Sequence, residues 1–399
     1  MPAPQPGRPT RSAPYLAAAG AFAVCMAGTT LPTPLYGLYQ EQIGFSELIV
    51  TVVFAVYAFA VVAVLSAAGS VSDTVGRRPV LLAGLGFAAL SAVCFLLENG
   101  LPLLYLGRIM SGLSAGLFTG TATAYVIELA PEGAGGRAAF AATAANMGGL
   151  GLGPLMSGVL SQYAPDPLVL PFAVHLGMVA VAAGVVAMLP ETVPGAQPVR
   201  RARLRAPKLP REVRGVFVPS GVAAFTGFAL FGVFTAVSPA FLTQTLDVHN
   251  RAVTGLIVFS AFLASTVGQL AAGRLGARRA LPLGCAVLVA GLVLLGGTLL
   301  AESVALLVLS ALVGGTGQGM SLRGAVGAVA SAAPAEQRAG TISSLFVVAY
   351  TGLAVPIIGV GLLTGRIGLE EAGVVFIVTM TVLTLFAGSY LLRRPVPGT

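Results

Sequence analysis

Twelve apolar runs, each about 20 residues or longer, fill most of this 399-residue chain and constrain its fold more than any other feature. They lie at roughly 15–38, 47–71, 79–97, 102–127, 138–163, 168–189, 216–243, 252–273, 280–300, 303–331, 341–364 and 371–392. Each is long enough to cross the hydrocarbon of a bilayer. A backbone in lipid has to satisfy its own hydrogen bonds, so the expected fold is an all-α membrane protein of twelve transmembrane helices. The gaps between runs are short and hold most of the charge, which is scarce at 9% of residues against 56% hydrophobic. The 52 glycines suit helices that approach each other closely without bulky side chains.

The net charge of +8 could point to nucleic acid, but its distribution points to a membrane. With a cytoplasmic N-terminus, the cytoplasmic segments hold Arg8, Arg11, Arg77, Arg78, Arg137, the seven bases from Arg200 to Arg214, Arg274, Arg278, Arg279, Arg338, Arg393 and Arg394. That is 18 of the 22 bases; Arg251 and Arg366 fall on the other side, and Arg108 and Arg323 lie inside apolar runs. The positive-inside rule then assigns both termini to the cytoplasm. The bases are almost all arginine (Lys208 is the one lysine), as in GC-rich bacterial genomes, so a bacterial cytoplasmic membrane is expected. The first run continues past Cys25 to Tyr39 without a cleavage-site pattern and reads as an uncleaved helix. Cys25, Cys94 and Cys285 are dispersed in apolar runs, with neither disulfide nor metal-ligand spacing. No metal, cofactor or nucleic-acid partner is expected, and the absence of a GxxxxGK[ST] loop excludes an ATP-driven pump.

A Pro- and Arg-rich segment divides the runs six and six. The expected organisation is an N-terminal six-helix bundle over 1–189, a cytoplasmic linker over 190–215 and a C-terminal six-helix bundle over 216–399. Such a linker cannot form a core and is expected to lie solvated on the anionic inner leaflet, without a specific partner. The halves repeat weakly with a shift near 200 residues: TPLYGLYQ around Pro34 matches SPAFLTQT around Pro239, and Gly76 and Arg78 match Gly276 and Arg278. Gly112, Gly116 and Ala130-Pro131 likewise match Gly315, Gly319 and Ala333-Pro334. Parallel repeats of this kind are a transporter architecture, with a substrate site at mid-depth between the halves. The repeat breaks at its charges: Gly273 replaces Asp73, Ala311 replaces Arg108 and Ser331 replaces Glu128. The second half is therefore expected to supply mainly pocket walls.

The turn GSVSDTVGRRPV at 69–80 gathers Asp73, Arg77 and Arg78 between two membrane-length runs. A carboxylate there can hold arginines or helix N-termini only while neighbouring helix ends stay together, which makes it a candidate latch. The other reading is that Arg77 and Arg78 simply anchor to the inner leaflet. Through Gly69, Asp73, Gly76, Arg77 and Arg78 the turn resembles the loop signature G-x-L-A-D-R-x-G-R-R/K of the major facilitator superfamily of secondary transporters, with departures at Val71 and Thr74. The resemblance implies two pseudo-symmetric six-helix bundles and a loop that stabilises the state closed to the cytoplasm, extended by Glu128 and Arg137. RIMSGLSAG at 108–116 resembles the R-x-x-x-G motif of proton-coupled members, which makes Arg108 a proton-coupling candidate. It stands about six residues, some 9 Å, into the fourth helix; snorkelling to the outer surface is the alternative. GLGLGPLMSG at 149–158, with Gly149, Gly153, Pro154 and Gly158, resembles the helix 5 motif G-x-x-x-G-P-x-x-G-G of twelve-span drug:proton antiporters, with Ser157 in place of a glycine. Plain packing of a Gly/Pro-rich helix is the alternative there.

Tyr36, Asn146, Gln318 and Arg323 are further candidates for a substrate cavity, and Arg323 reads equally well as snorkelling inward. His175 and His249 read as structural. The first helix carries no acid before Glu41, so the coupling proton has no evident carrier, and with Arg108 and Arg323 the cavity is expected to favour neutral or anionic solutes. The expected function is secondary active transport of a small organic molecule by a monomer, most simply proton-coupled efflux of a drug or metabolite. A proton-coupled uptake symporter for a sugar, organic acid or other nutrient is the alternative. A membrane receptor would need a ligand or effector domain, and an enzyme would need a grouped nucleophile, base or metal set.

Overall fold

The computed structural model describes residues 13–68, 71–194, 213–334 and 337–393, and among these it is helical with no strand. Twelve long helices follow the chain: α1 (Ala13–Thr30), α2 (Glu47–Ala68), α3 (Arg77–Leu96), α4 (Leu101–Glu128), α5 (Gly135–Tyr163) and α6 (Leu170–Met188). The second six are α7 (Arg214–Gly232), α8 (Arg251–Leu275), α9 (Ala277–Ala301), α10 (Val304–Ala332), α11 (Arg338–Ile367) and α12 (Leu369–Arg393).

Two of the apolar runs are not continuous helices. After α1 the chain tightens into a 3₁₀ turn at Thr33–Leu35, and Tyr36–Ile43 completes the span. Pro32 and Pro34 have no backbone N–H to donate, so a regular ladder cannot run through them. α7 instead widens into a π turn at Val233–Val237 before Pro239, and Ser238–Gln244 completes it. These are the two segments paired by the sequence repeat. One repeated motif thus yields an overwound and an underwound break.

Among the described residues eleven helical segments are long and apolar enough to cross a membrane, and α5 is the long helix outside that set. It has the length, at 29 residues. Its seven glycines together with Arg137 and Asn146 dilute its hydropathy. The reason is its place in the fold: α5 is packed between α1 and α8, so much of its surface faces protein rather than lipid. The chain is a multi-pass membrane protein.

The helix packing repeats. In the first six, α1 contacts α4, α5 and α6, α2 contacts α4, and α3 contacts α4 and α6. Six helices later, α7 contacts α10, α11 and α12, α8 contacts α10, and α9 contacts α10 and α12. Gly76 and Gly276 precede α3 and α9 with φ of 106° and 74°, a region that residues with a Cβ rarely enter. Contact between the two sets is concentrated where α5 meets α8 and α2 meets α11. The turns near 71–76, 129–134 and 189–194 share one end of the bundle, the arginine-rich face. The turns near 44–46 and 245–250 lie at the opposite face.

Candidate functional site

Between the two helix sets lies a cavity of about 560 Å³. Near the arginine-rich face its walls are Leu65, Val80, Ile127, Ala139, Val326 and Ile342, residues close to helix ends. Deeper in, Phe54, Tyr57, Phe228 and Tyr350 form an aromatic end, with Tyr350 edge-on to Tyr57 (centroids 6.5 Å apart) and to Phe228 (5.3 Å). Tyr57 and Tyr350 belong to different helix sets, so this end bridges them. Asn146, Gln318 and Arg323 line the cavity. Arg323 is exposed and lines the cavity, its guanidinium directed toward Gly273, two residues before the end of α8. Tyr36 does not line it. That residue is buried, and it borders a separate space of about 140 Å³ near the opposite face.

The opposite face is closed by hydrogen bonds between the sets. Gln244 Nε2 donates to Glu47 Oε1 (2.8 Å), and Asn250 Nδ2 donates to the Tyr163 hydroxyl (3.1 Å). The Arg251 amide donates to Gln162 Oε1 (3.0 Å), and its guanidinium donates to the Ser161 carbonyl (2.9 Å). Small residues permit this approach. A Cβ on Gly158 would meet the Arg251 carbonyl, and one on Gly255 would meet the Pro154 carbonyl. The helix 5 glycines therefore divide by face. Gly149 and Gly153 lie against Ala23 and Ala27 of α1, whereas Gly151 and Gly158 lie against α8.

At the arginine-rich face the hub is Arg77. Its guanidinium donates to Glu128 through Nη2 (2.9 Å) and Nε (3.3 Å), and to Ser72 Oγ (2.7 Å) and Asp73 Oδ1 (2.5 Å) through Nη1. Asp73 therefore bonds within its own turn and is otherwise exposed, its side chain 58% accessible. Glu191, which begins the linker, accepts the amides of Arg77 (2.9 Å) and Arg78 (3.0 Å), capping α3 with a negative charge. Thr192 Oγ1 donates to Glu128, and the Tyr125 hydroxyl to the Pro190 carbonyl (2.7 Å).

Two expectations need correction here. The first residues of the linker, Pro190 to Thr192, are tied to α3 and α4 rather than free. Arg137 is exposed and makes no ion pair among the described residues. Gly69 lies outside the described residues, as does most of the linker. In the sequence Glu191 is legible only as a charge directly after an apolar run, because the α3 amides it caps lie more than 110 positions away. Arg77→Ala is expected to destabilise the purified protein by about 1–2 kcal/mol, read by thermal unfolding, since it strands Glu128 and Asp73 together. Arg77→Lys is expected to restore this only in part, because a compact ammonium cannot fork between both carboxylates.

Arg108 is buried, with 1% of its surface accessible, so it does not snorkel. Nη1 donates to the Thr29 carbonyl (2.6 Å), and the guanidinium carbon lies 4.6 Å from the Tyr57 ring centroid and 5.4 Å from that of Phe54. Among the described residues Nε and Nη2 have no partner. It thus sits behind the aromatic end of the cavity as a cation without a carboxylate. His175, also buried, packs against Gly28, and its Nδ1 has no partner.

Comparison with known proteins bears on this arrangement. A family model described as Major Facilitator Superfamily matches residues 18–249, more than half of the chain. The tetracycline resistance protein, class D, of Salmonella ordonez is 36% identical over 124 residues, 31% of this chain and 30% of that protein. The match thus spans under a third of the relative's length. Among solved structures, a bacterial homolog of the human lysosomal transporter Spinster, inward-facing and unoccupied, superposes with a TM-score of 0.73 at 14% identity, covering 99% of this chain and all of that one. A point mutant of the nucleoside transporter NupG gives 0.71 at 13% identity, covering 95% of this chain and 100% of that one. The human organic anion transporter MFSD10 (TETRAN) gives 0.67 at 18% identity, covering 96% of this chain and 100% of that one. At these identities the structural matches speak for the fold alone, and they agree with the repeated six-helix packing and the cavity between the sets. The chain belongs to the Major Facilitator Superfamily of transporters.

Proposed function

We propose that this protein exports a small amphiphilic organic molecule from the bacterial cytoplasm by proton-coupled alternating access. The observation that carries the reading is the one-sided cavity, walled by both helix sets, open toward the arginine-rich face and closed by hydrogen bonds at the other. In this reading the bundles 1–189 and 216–399 rock on the α5–α8 and α2–α11 contacts. The linker 190–215 and both termini are cytoplasmic, where their arginines meet anionic lipid. The turn at Asp73, with Gly76, Arg77, Arg78 and Glu128, acts as the latch. Asp73 holds only Arg77 while the cytoplasmic end is open, and its exposed carboxylate is free to take a partner from the second bundle on closure.

Proton coupling is read from Arg108, whose insertion costs about 2.5–3.5 kcal/mol and which is kept without an acid beside it. Export is read from the helix 5 pattern and from likeness to a tetracycline resistance protein over part of the chain. One charge crossing 100 mV supplies roughly 2.3 kcal/mol, enough for a solute gradient of about 50-fold. The test is transport by the purified protein in liposomes with an imposed pH gradient and a panel of solutes. Solute moving against the proton flow supports export, and solute moving with it supports the uptake alternative. Flux indifferent to the gradient overturns proton coupling.

A further inference from the structure

We propose that the central cavity selects an amphiphilic organic anion, its acidic group held by Arg323 and its apolar body against the aromatic end. The proposal rests on the reading of this cavity as the substrate site. Arg323 has its backbone nine residues before the end of α10, about 14 Å along the helix, and its guanidinium reaches back to Gly273, two residues before the end of α8, so the charge lies at the arginine-rich mouth of the cavity. An arginine whose backbone is inside the span and whose head reaches a water-filled mouth keeps its charge and can meet an anion entering there. Among the described residues no Asp or Glu lines the cavity, Arg323 is its one formal charge, and that guanidinium has no ion-pair partner.

The neighbouring polar groups point the same way. Gln318 is buried, and its Oε1 accepts from Ser265 Oγ (2.6 Å), leaving Nε2 without a partner. Among the described residues its amide donors are therefore free to meet an acceptor. Behind the aromatic end, Arg108 adds a second positive charge 4.6 Å from the Tyr57 ring. Positive potential is focused by the low-dielectric walls, so an anion gains where a cation would be desolvated without compensation. The volume, about 560 Å³, suits a drug-sized body. The sequence repeat sharpens the point. Gly273 stands where the first half has Asp73, and a Cβ there would lie 2.7 Å from Arg323 Nη2. An acid at 273 would neutralise the guanidinium, and glycine leaves it free.

The experiment is equilibrium binding to the purified full-length protein of three matched probes: 1-naphthylacetate, its neutral amide and 1-naphthylethylammonium. The chain has no tryptophan, so naphthalene fluorescence is read without an indole background. The acetate is expected to bind about tenfold or more tighter than the amide, the effect of one charge-assisted hydrogen bond, and the ammonium is expected not to saturate. Arg323→Gln is expected to lower the acetate-to-amide affinity ratio by about tenfold, and Arg323→Lys to keep most of it. Gly273→Asp, which leaves Arg323 in place but paired, is expected to lower the ratio similarly, and it carries the test if Arg323→Gln does not fold. Binding without charge preference, tighter binding of the ammonium, or a ratio unchanged in the variants overturns the charge assignment alone. If none of the three probes saturates, the cavity reading fails and this proposal with it.

Discussion

Replacing Arg108 with methionine is expected to abolish pH-driven transport with little change in heat stability. The side chain is almost wholly buried, with one hydrogen bond to the Thr29 carbonyl, aromatic rings at 4.6 and 5.4 Å, and two nitrogens without partners. Burying that charge costs about 2.5–3.5 kcal/mol on insertion scales. A hydrogen bond from a charged group returns about 1.5–3 kcal/mol, and a desolvated cation–π contact about 2. These nearly cancel, so removing the whole side chain leaves the balance close to where it was. The transport cost does not cancel. If about 3 kcal/mol of coupling passes through this cation, gradient-driven flux falls on the order of a hundredfold. Liposome flux under a pH gradient, measured beside thermal unfolding, checks both halves of the expectation. A large fall in Tm with flux retained would make Arg108 a packing residue.

Gly158→Val is expected to hold the transporter with the face opposite the arginines open. At this position the added Cβ meets the Arg251 carbonyl, and the next nearest atoms also belong to the α8 backbone. Backbone cannot rotate aside as a side chain can. Overpacking of this kind costs about 1–3 kcal/mol. The cost is felt only when the ends of α5 and α8 meet, so it shifts the equilibrium between the two states by about 5- to 150-fold. An introduced Thr254→Cys, which borders the small space at that face, is expected to react faster with a membrane-impermeant maleimide in the valine background. Substrate flux is expected to fall in parallel. Lost flux with unchanged labelling would point to general misfolding and sink the argument.

The elements legible in the sequence are those whose cause is local. Each apolar run becomes a helix because lipid leaves a backbone no other way to satisfy itself. Gly76 and Gly276 pair by eye because a tight turn at positive φ needs glycine in both halves. Arg77, Asp73 and Glu128 stand out as a charged cluster. Which of them touch is less clear, and Glu191 reads as part of a solvated linker although it caps α3. Tyr36 is a cavity candidate on the strength of a polar group in an apolar run. It stands past the Pro32–Pro34 break, buried near the other face and outside the cavity lining. Hydropathy fails once, at α5, because a helix clasped by protein does not need a lipid-facing surface.

Hydropathy, charge asymmetry and the spacing of glycines and prolines were enough to point to a helical, many-times-spanning chain with two similar halves, and the charged turn at 69–80 marked the family it resembles. They act over a few residues at a time and leave their mark in the string itself. Tertiary structure alone decided that Arg108 is sealed among aromatics, that Arg323 lines a cavity with no acid among the described residues, and that the bundle is open at one end and shut at the other. Each successive residue turns about 100° around a helix, so which face meets a neighbour depends on how whole helices rotate and cross. That choice is made by packing among all twelve together.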